Sequence, residues 1–194
     1  RPIHALANFD DCWERWGEVP LTGPQLEWVD RLLHDRRHGR NLNWAPFSPP
    51  PGDDDLRRAL DLGDSPVVAV FTSSSEETAV YPEYRQGAFP DSRDWLPAVL
   101  DMAAQFPDHV FVIRVHPNVG DVHGMGQAPE LQELLALRER LPRNCRMVMP
   151  ADDVSSYRLG DLSEAVLVYY STIGLEMAAQ GKPVVTVAQG WYGR

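Results

Sequence analysis

Hydroxyls, one imidazole and one guanidinium, gathered in three short stretches, are the groups in this chain whose types and spacing can do chemistry. The fullest stretch, Tyr169 to Gln189, reads YYSTIGLEMAAQGKPVVTVAQ. It sets Ser171 and Thr172 between an apolar run and a segment carrying Gly174 and Glu176, which predicts a strand, a hydroxyl-rich turn and a helix start. A helix start leaves N–H groups unpaired. With the positive end of the helix dipole and two hydroxyls, those donors suit a phosphate lying beyond the strand's carboxyl end. The same pair also reads as the cap of an ordinary helix. In the second stretch, Arg114-Val115-His116-Pro117-Asn118, an imidazole and an amide sit at a strand end, and Pro117 blocks the strand's continuation. The third, Thr72-Ser73-Ser74-Ser75-Glu76-Glu77, offers four hydroxyls and exposed N–H groups, a nest for phosphate oxygens or a plain Ser-rich cap.

A scaffold must bring these stretches together, and the pattern from Ser65 onward supplies one. Strands are predicted at Val67–Thr72, Val110–Val115, Arg146–Met149, Ala165–Tyr170 and Pro183–Val187. Helices are predicted at Ser92–Phe106, Pro129–Leu141, Ser155–Leu162 and Ile173–Gln180. Crossover helices force the five strands parallel, giving an α/β, Rossmann-like, doubly wound sheet. Every strand-to-helix loop then emerges at one edge, so the loops after the first, second and fourth strands converge. The loop after the third strand, Pro150 to Val154, is placed to reach a nucleobase with backbone groups. Together the four loops describe a nucleotide pocket.

Residues 1–63 are expected to form a helical segment and a Pro-rich linker, and residues 64–194 the Rossmann-like domain. The first part holds a helix from Gly23-Pro24 to His38, with Leu26, Val29, Leu32 and Leu33 on one face. Its tail, HDRRHGR, is expected to be a solvated C-terminal turn complementing the helix dipole rather than a phosphate patch. Pro46, Pro49, Pro50 and Pro51, then Gly52 and three Asp residues, predict a stiff connection that ends in a short helix, Asp54 to Leu60. The chain begins at Arg1 and stops at Gly193-Arg194 just after a strand, so a fragment is expected, with the domain truncated at its C-terminus.

The net charge of −10 and pI near 5.0 argue against non-specific binding to nucleic acid or an anionic membrane surface, which would need a basic face. Cys12 and Cys145 lie far apart, without metal-type spacing, so neither a disulfide framework nor a structural zinc is expected. No apolar run approaches the ~20 residues that cross a bilayer, and the expected location is a reducing cytoplasm. His4, His34, His38, His109 and His123 are scattered and read as structural or solvent-facing.

VIRVHPN at Val112–Asn118 and YSTIGLEMAAQGKPVVT at Tyr170–Thr186, with VFTSSSEE at Val70–Glu77, resemble the bacterial capsule and surface polysaccharide biosynthesis proteins that include the Kdo transferases. The resemblance covers about two thirds of the chain. It implies the C-terminal, nucleotide-binding half of a GT-B glycosyltransferase. Bacterial sialyltransferases are similar in pairing a His-Pro motif with a Ser-Ser or Ser-Thr motif.

The implied function is a donor domain for a nucleotide-activated sugar, a CMP-sugar such as CMP-Kdo, in capsule, surface polysaccharide or glycolipid synthesis. The implied nucleotide-binding residues are Ser73, Ser74, Ser75, Arg114, His116, Pro117, Asn118, Ser171, Thr172, Gly174 and Glu176. His116 is the implied catalytic residue, and Glu176 the implied acceptor for ribose hydroxyls; a cationic His116 is one way that residue could stabilise charge during turnover. No cofactor or metal is expected. The acceptor and the general base are expected from a missing N-terminal domain, with the full-length protein at the inner face of the membrane. The alternatives are a CDP-polyol phosphotransferase of teichoic-acid type and a non-catalytic nucleotide-binding or assembly domain. Glu76 and Glu77 read as solvated or capping rather than an acid/base pair, and Lys182 reads as solvated.

Overall fold

Five runs of apolar residues become the strands, and both faces of each central run are apolar because both faces are covered. The computed structural model describes residues 10–40, 56–74, 87–89, 92–120, 130–188 and 192. The linker prolines, Ser75, Glu76 and Glu77 lie outside the described residues. In chain order the elements are α1 (Asp10–Trp16), α2 (Gly23–Arg37), α3 (Leu56–Ala59), β1 (Val67–Phe71), α4 (Ser92–Gln105), β2 (Val110–Arg114), a 3-10 turn (Pro117–Val119), α5 (Glu130–Arg138), β3 (Cys145–Val148), α6 (Ser156–Leu162), β4 (Ala165–Val168), α7 (Thr172–Ala179) and β5 (Val184–Thr186).

The sheet runs β3-β2-β1-β4-β5, and all four pairings are parallel. This is the expected Rossmann-like doubly wound fold. Side chains alternate between two cores across it. Val68, Val70, Phe111, Ile113, Met147 and Leu167 pack with Trp95, Leu96, Val99 and Ala103 of α4. Val67, Ala69, Val112, Val166 and Val168 pack on the other face with Tyr157 and Leu159 of α6 and Ile173 and Met177 of α7. Each Val, Leu, Ile, Phe or Met side chain among these contributes about 1.5–3 kcal/mol when taken from water, before entropy is counted. Strand β4 ends two residues earlier than the apolar run predicts. Its neighbour β1 stops at Phe71, opposite Val168, so Tyr169 and Tyr170 are buried but have no β1 residue to pair with.

Helix α7 closes as its sequence predicts. Gly181 takes φ +80, its N–H donates to Ala178 O (2.9 Å), and Lys182 N–H donates to Met177 O (3.0 Å), a Schellman stop. Lys182 itself corrects the sequence reading. Its Nζ donates to Asp161 O (2.6 Å) and Ser163 O (2.7 Å), so the ammonium sits on the carbonyl end of α6 instead of in water.

Helix α2 begins with Pro24 in its first turn and Gln25 Oε1 accepting from Thr22 N (2.8 Å). Its arginine tail is also corrected. Arg36 and Arg37 are half-buried and reach α6 and α7: Arg37 pairs with Asp161, donates to Gln180 Oε1 (3.1 Å), and lies 5.2 Å from the Tyr157 ring centroid. The tail therefore fastens the N-terminal segment to the sheet domain. Helix α1, which the sequence did not predict, exposes Trp13 and Trp16. Both cysteines are free, Cys12 exposed and Cys145 buried.

Candidate functional site

The strand order decides which loops meet. The chain moves outward from β1 to β2 to β3, then returns to lay β4 on the other side of β1. Strands β2, β1 and β4 are therefore neighbours, and the β1/β4 boundary is the switch point where open parallel sheets form a ligand crevice at the strands' carboxyl ends. The three stretches singled out in the sequence follow those three strands.

Thr72 joins two of them. Its N–H donates to Arg114 O (3.1 Å), and its Oγ1 accepts from His116 N (2.9 Å), so the start of the β1 loop and the start of the β2 loop move as one piece. Ser73 and Ser74 follow at 6% and 2% exposure, and among the described residues neither hydroxyl has a hydrogen-bond partner. A buried hydroxyl without a partner costs about 1–3 kcal/mol, so two in succession mark a place that a ligand would complete.

His116 caps the 3-10 turn: its Nδ1 accepts from Asn118 N (3.2 Å). An accepting Nδ1 puts the ring proton on Nε2 and makes the neutral imidazole a donor. Pro117 starts the turn, and Asn118 is half-buried beside the buried Val119.

Arg114 is 2% exposed, on the last position of β2 between Phe71 and Val148. One Nη donates to Met149 O, while Nε has no hydrogen-bond partner among the described residues. Burial pushes its pKa down and Asp152 partly offsets this. The guanidinium is thus a cation held beneath the strand ends with incomplete compensation. It also supports the loop after β3, where Asp152 Oδ2 accepts from Met149 N (2.8 Å) and lies 3.5 Å from Arg138.

Ser171 is the N-cap of α7 with extended backbone (φ −61, ψ 143), and its hydroxyl makes no capping bond. Gly174 N donates instead to Ser171 O (3.0 Å), which also accepts from Tyr192 Oη. Thr172 is exposed at the helix start. The helix geometry leaves the first N–H groups of α7 without intrahelical partners. Gly174 allows a close approach: a Cβ there would stand 2.8 Å from Val168 Cγ2 and 2.7 Å from Tyr192 Oη.

Glu176 is the site residue the structure sets apart. It is 5% exposed, and its Oε1 accepts from Arg36 Nε (2.8 Å) and pairs with Arg36 Nη2 (2.8 Å). Oε2 accepts from Tyr157 Oη (2.7 Å). Burial opposes charge on Arg36, but Glu176 outweighs it and the guanidinium pKa is raised. Burial, then the Glu176 charge, push the Tyr157 phenol up. Both carboxylate oxygens are thus engaged, and ribose hydroxyls would have to compete for them. Arg36, Tyr157 and Tyr192 are contacts the sequence reading did not single out.

Among the described residues no group of three His, Cys, Asp or Glu is arranged to hold a metal, and no helix is long and apolar enough to cross a membrane.

No curated protein matches the chain. Among solved structures, the beta Kdo 2,4 transferase KpsC of Thermosulfurimonas dismutans superposes with a TM-score of 0.53 at 16% identity, over 90% of this chain and 48% of that one. The beta Kdo 2,7 transferase KpsC of the same organism gives 0.47 at 19% identity, over 89% and 45% of the two chains. UDP-GlcNAc 2-epimerase from Neisseria meningitidis gives 0.41 at 20% identity, over 68% and 29%. The first of these shares the fold, and the present chain spans about half its length. The strand-end loops after β4, the 3-10 turn and helices α4 to α7 all fall within residues 84–194, which match the family model for capsule polysaccharide biosynthesis proteins. Covering more than half of the sequence, that match makes the chain a member of the capsule polysaccharide biosynthesis protein family.

Proposed function

We propose that the sheet domain is the donor domain of a glycosyltransferase and binds a nucleotide-activated sugar, a CMP-sugar such as CMP-Kdo, at the ends of β1, β2 and β4. The observation that carries this reading is the set of three buried polar groups without partners among the described residues, Ser73 Oγ and Ser74 Oγ after β1 and Arg114 Nε at the end of β2, two neighbouring strands of which β1 borders the switch point. Membership of the capsule family and the shared fold with a Kdo transferase support the sugar class.

In this reading the donor phosphate lies against the start of α7, where unpaired N–H groups and the Ser171 hydroxyl face it. His116, with Nδ1 occupied, donates from Nε2 as a neutral group. Negative charge grows on the phosphate as the nucleotide departs, and fixed donors stabilise that charge more strongly in the transition state than before it. Arg114 adds a long-range positive field from beneath the strand ends. A separate domain supplies the acceptor and the base, and the reaction takes place on the cytoplasmic side.

The test is calorimetric titration of the chain with CMP, CDP, UDP and GDP, with and without magnesium. Selective, magnesium-independent CMP binding is expected, and both His116→Ala and Ser171→Ala should weaken it about tenfold or more, as charged hydrogen bonds of roughly 1.5–3 kcal/mol require. Unchanged affinity in both variants sinks the site. A preference for CDP-glycerol over CMP replaces sugar transfer with polyol-phosphate transfer.

A further inference from the structure

We propose that Tyr192 is a positioning residue of this site: its hydroxyl holds the Ser171 turn by the backbone, which leaves the Ser171 hydroxyl and the first N–H groups of α7 for the nucleotide phosphate. This rests on the donor-site reading above. An N-cap serine ordinarily spends its hydroxyl on the N–H of the third helical residue. Here that N–H, on Gly174, goes to the Ser171 carbonyl (3.0 Å), and the same carbonyl accepts the Tyr192 hydroxyl. The turn is fixed by a carbonyl with two donors while its hydroxyl makes no capping bond.

Gly174 fits the same arrangement. A Cβ at this position would lie 2.7 Å from Tyr192 Oη, so the glycine makes room for the hydroxyl that holds the turn. Burial raises the Tyr192 pKa, which keeps the phenol protonated and a donor throughout the neutral range. Tyr192 comes from the segment following β5, on the far side of β4 from β1.

The experiment compares wild type, Tyr192→Phe and Ser171→Ala for binding of CMP by calorimetry and of cytidine, which lacks the phosphate, by ligand-observed NMR. Tyr192→Phe keeps the ring and its packing and removes only the hydroxyl. It should weaken CMP about threefold to tenfold, the worth of one hydrogen bond, and leave cytidine unchanged. Gly174→Ala should show the same phosphate-selective loss, because it displaces the hydroxyl. Wild-type CMP affinity in Tyr192→Phe, alongside a loss in Ser171→Ala, overturns the tyrosine's role and leaves the donor site standing. Parallel losses of CMP and cytidine reduce Tyr192 to general packing and also overturn the proposal. Absence of CMP binding by wild type removes the donor-site reading, and the proposal with it.

Discussion

Helix α7 carries one polar cluster, and the ends of β1 and β2 carry polar groups built on opposite terms. Along the length of α7 Glu176 meets Arg36 and Tyr157, all three engaged with one another, while Lys182 and Arg37 close the neighbouring carbonyls and Asp161. At the ends of β1 and β2 the hydroxyls of Ser73 and Ser74 and the Nε of Arg114 are buried without partners among the described residues, and at the start of α7 Ser171 makes no capping bond. A cluster that satisfies itself holds a fold together, since removing one member strands the rest. A cluster left incomplete destabilises the empty protein and is retained where a ligand completes it. Similar residue types thus serve as fastening in one place and as a receptor in the other.

Substitutions can break this contrast. The largest effect is expected at Glu176. Glu176→Ala should lower unfolding stability by roughly 2–3 kcal/mol in urea denaturation, by leaving the Arg36 guanidinium and the Tyr157 hydroxyl without their acceptor. A variant that keeps its stability but loses CMP affinity would move Glu176 from fastening to receptor. Arg114→Met should come next, weakening CMP about tenfold while leaving apo stability level or higher, because an apolar side chain of similar length relieves an incompletely paired buried cation. A marked loss of stability would instead make the Met149 contact the residue's purpose. Ser74→Ala sharpens the contrast at the small end: removing an unpartnered buried hydroxyl should raise apo stability by about 1 kcal/mol while weakening nucleotide binding. Thermal melts with and without CMP would separate the two effects.

The strands were legible in the sequence because burial on both faces writes an unbroken apolar run, as in Val67 to Phe71, all buried. The Gly181 stop was legible for an equally local reason, the positive φ. The three loop motifs were legible as residue types at strand ends, and the parallel crossovers were enough to put them on one edge. Helix α1 was not, since its tryptophans are exposed and leave no apolar face to detect. Nor was the Arg36–Glu176 pair, whose members are 140 residues apart and whose meeting depends on how α2 packs. The roles of Arg36, Arg37 and Lys182 were missed for this reason: a long cationic side chain looks solvated until the carbonyl or carboxylate it reaches is in place. The hydroxyls of Ser73 and Ser74 were visible, but their isolation was not, because spacing carries no information about burial.

The packing of Trp95 has a consequence for how this molecule can be watched. Its indole is fully enclosed in the sheet core, 5.9 Å from the ring of Tyr169, two residues before Ser171. Trp13, Trp16 and Trp28 are exposed to solvent. Among the described residues the indoles therefore divide optically, the outer ones open to an aqueous quencher such as iodide and Trp95 shielded from it. The Trp95 emission, shielded among the described indoles, comes from a chromophore whose aromatic neighbour leads directly into the β4 loop, which makes it a built-in light signal for that turn, with no label to attach.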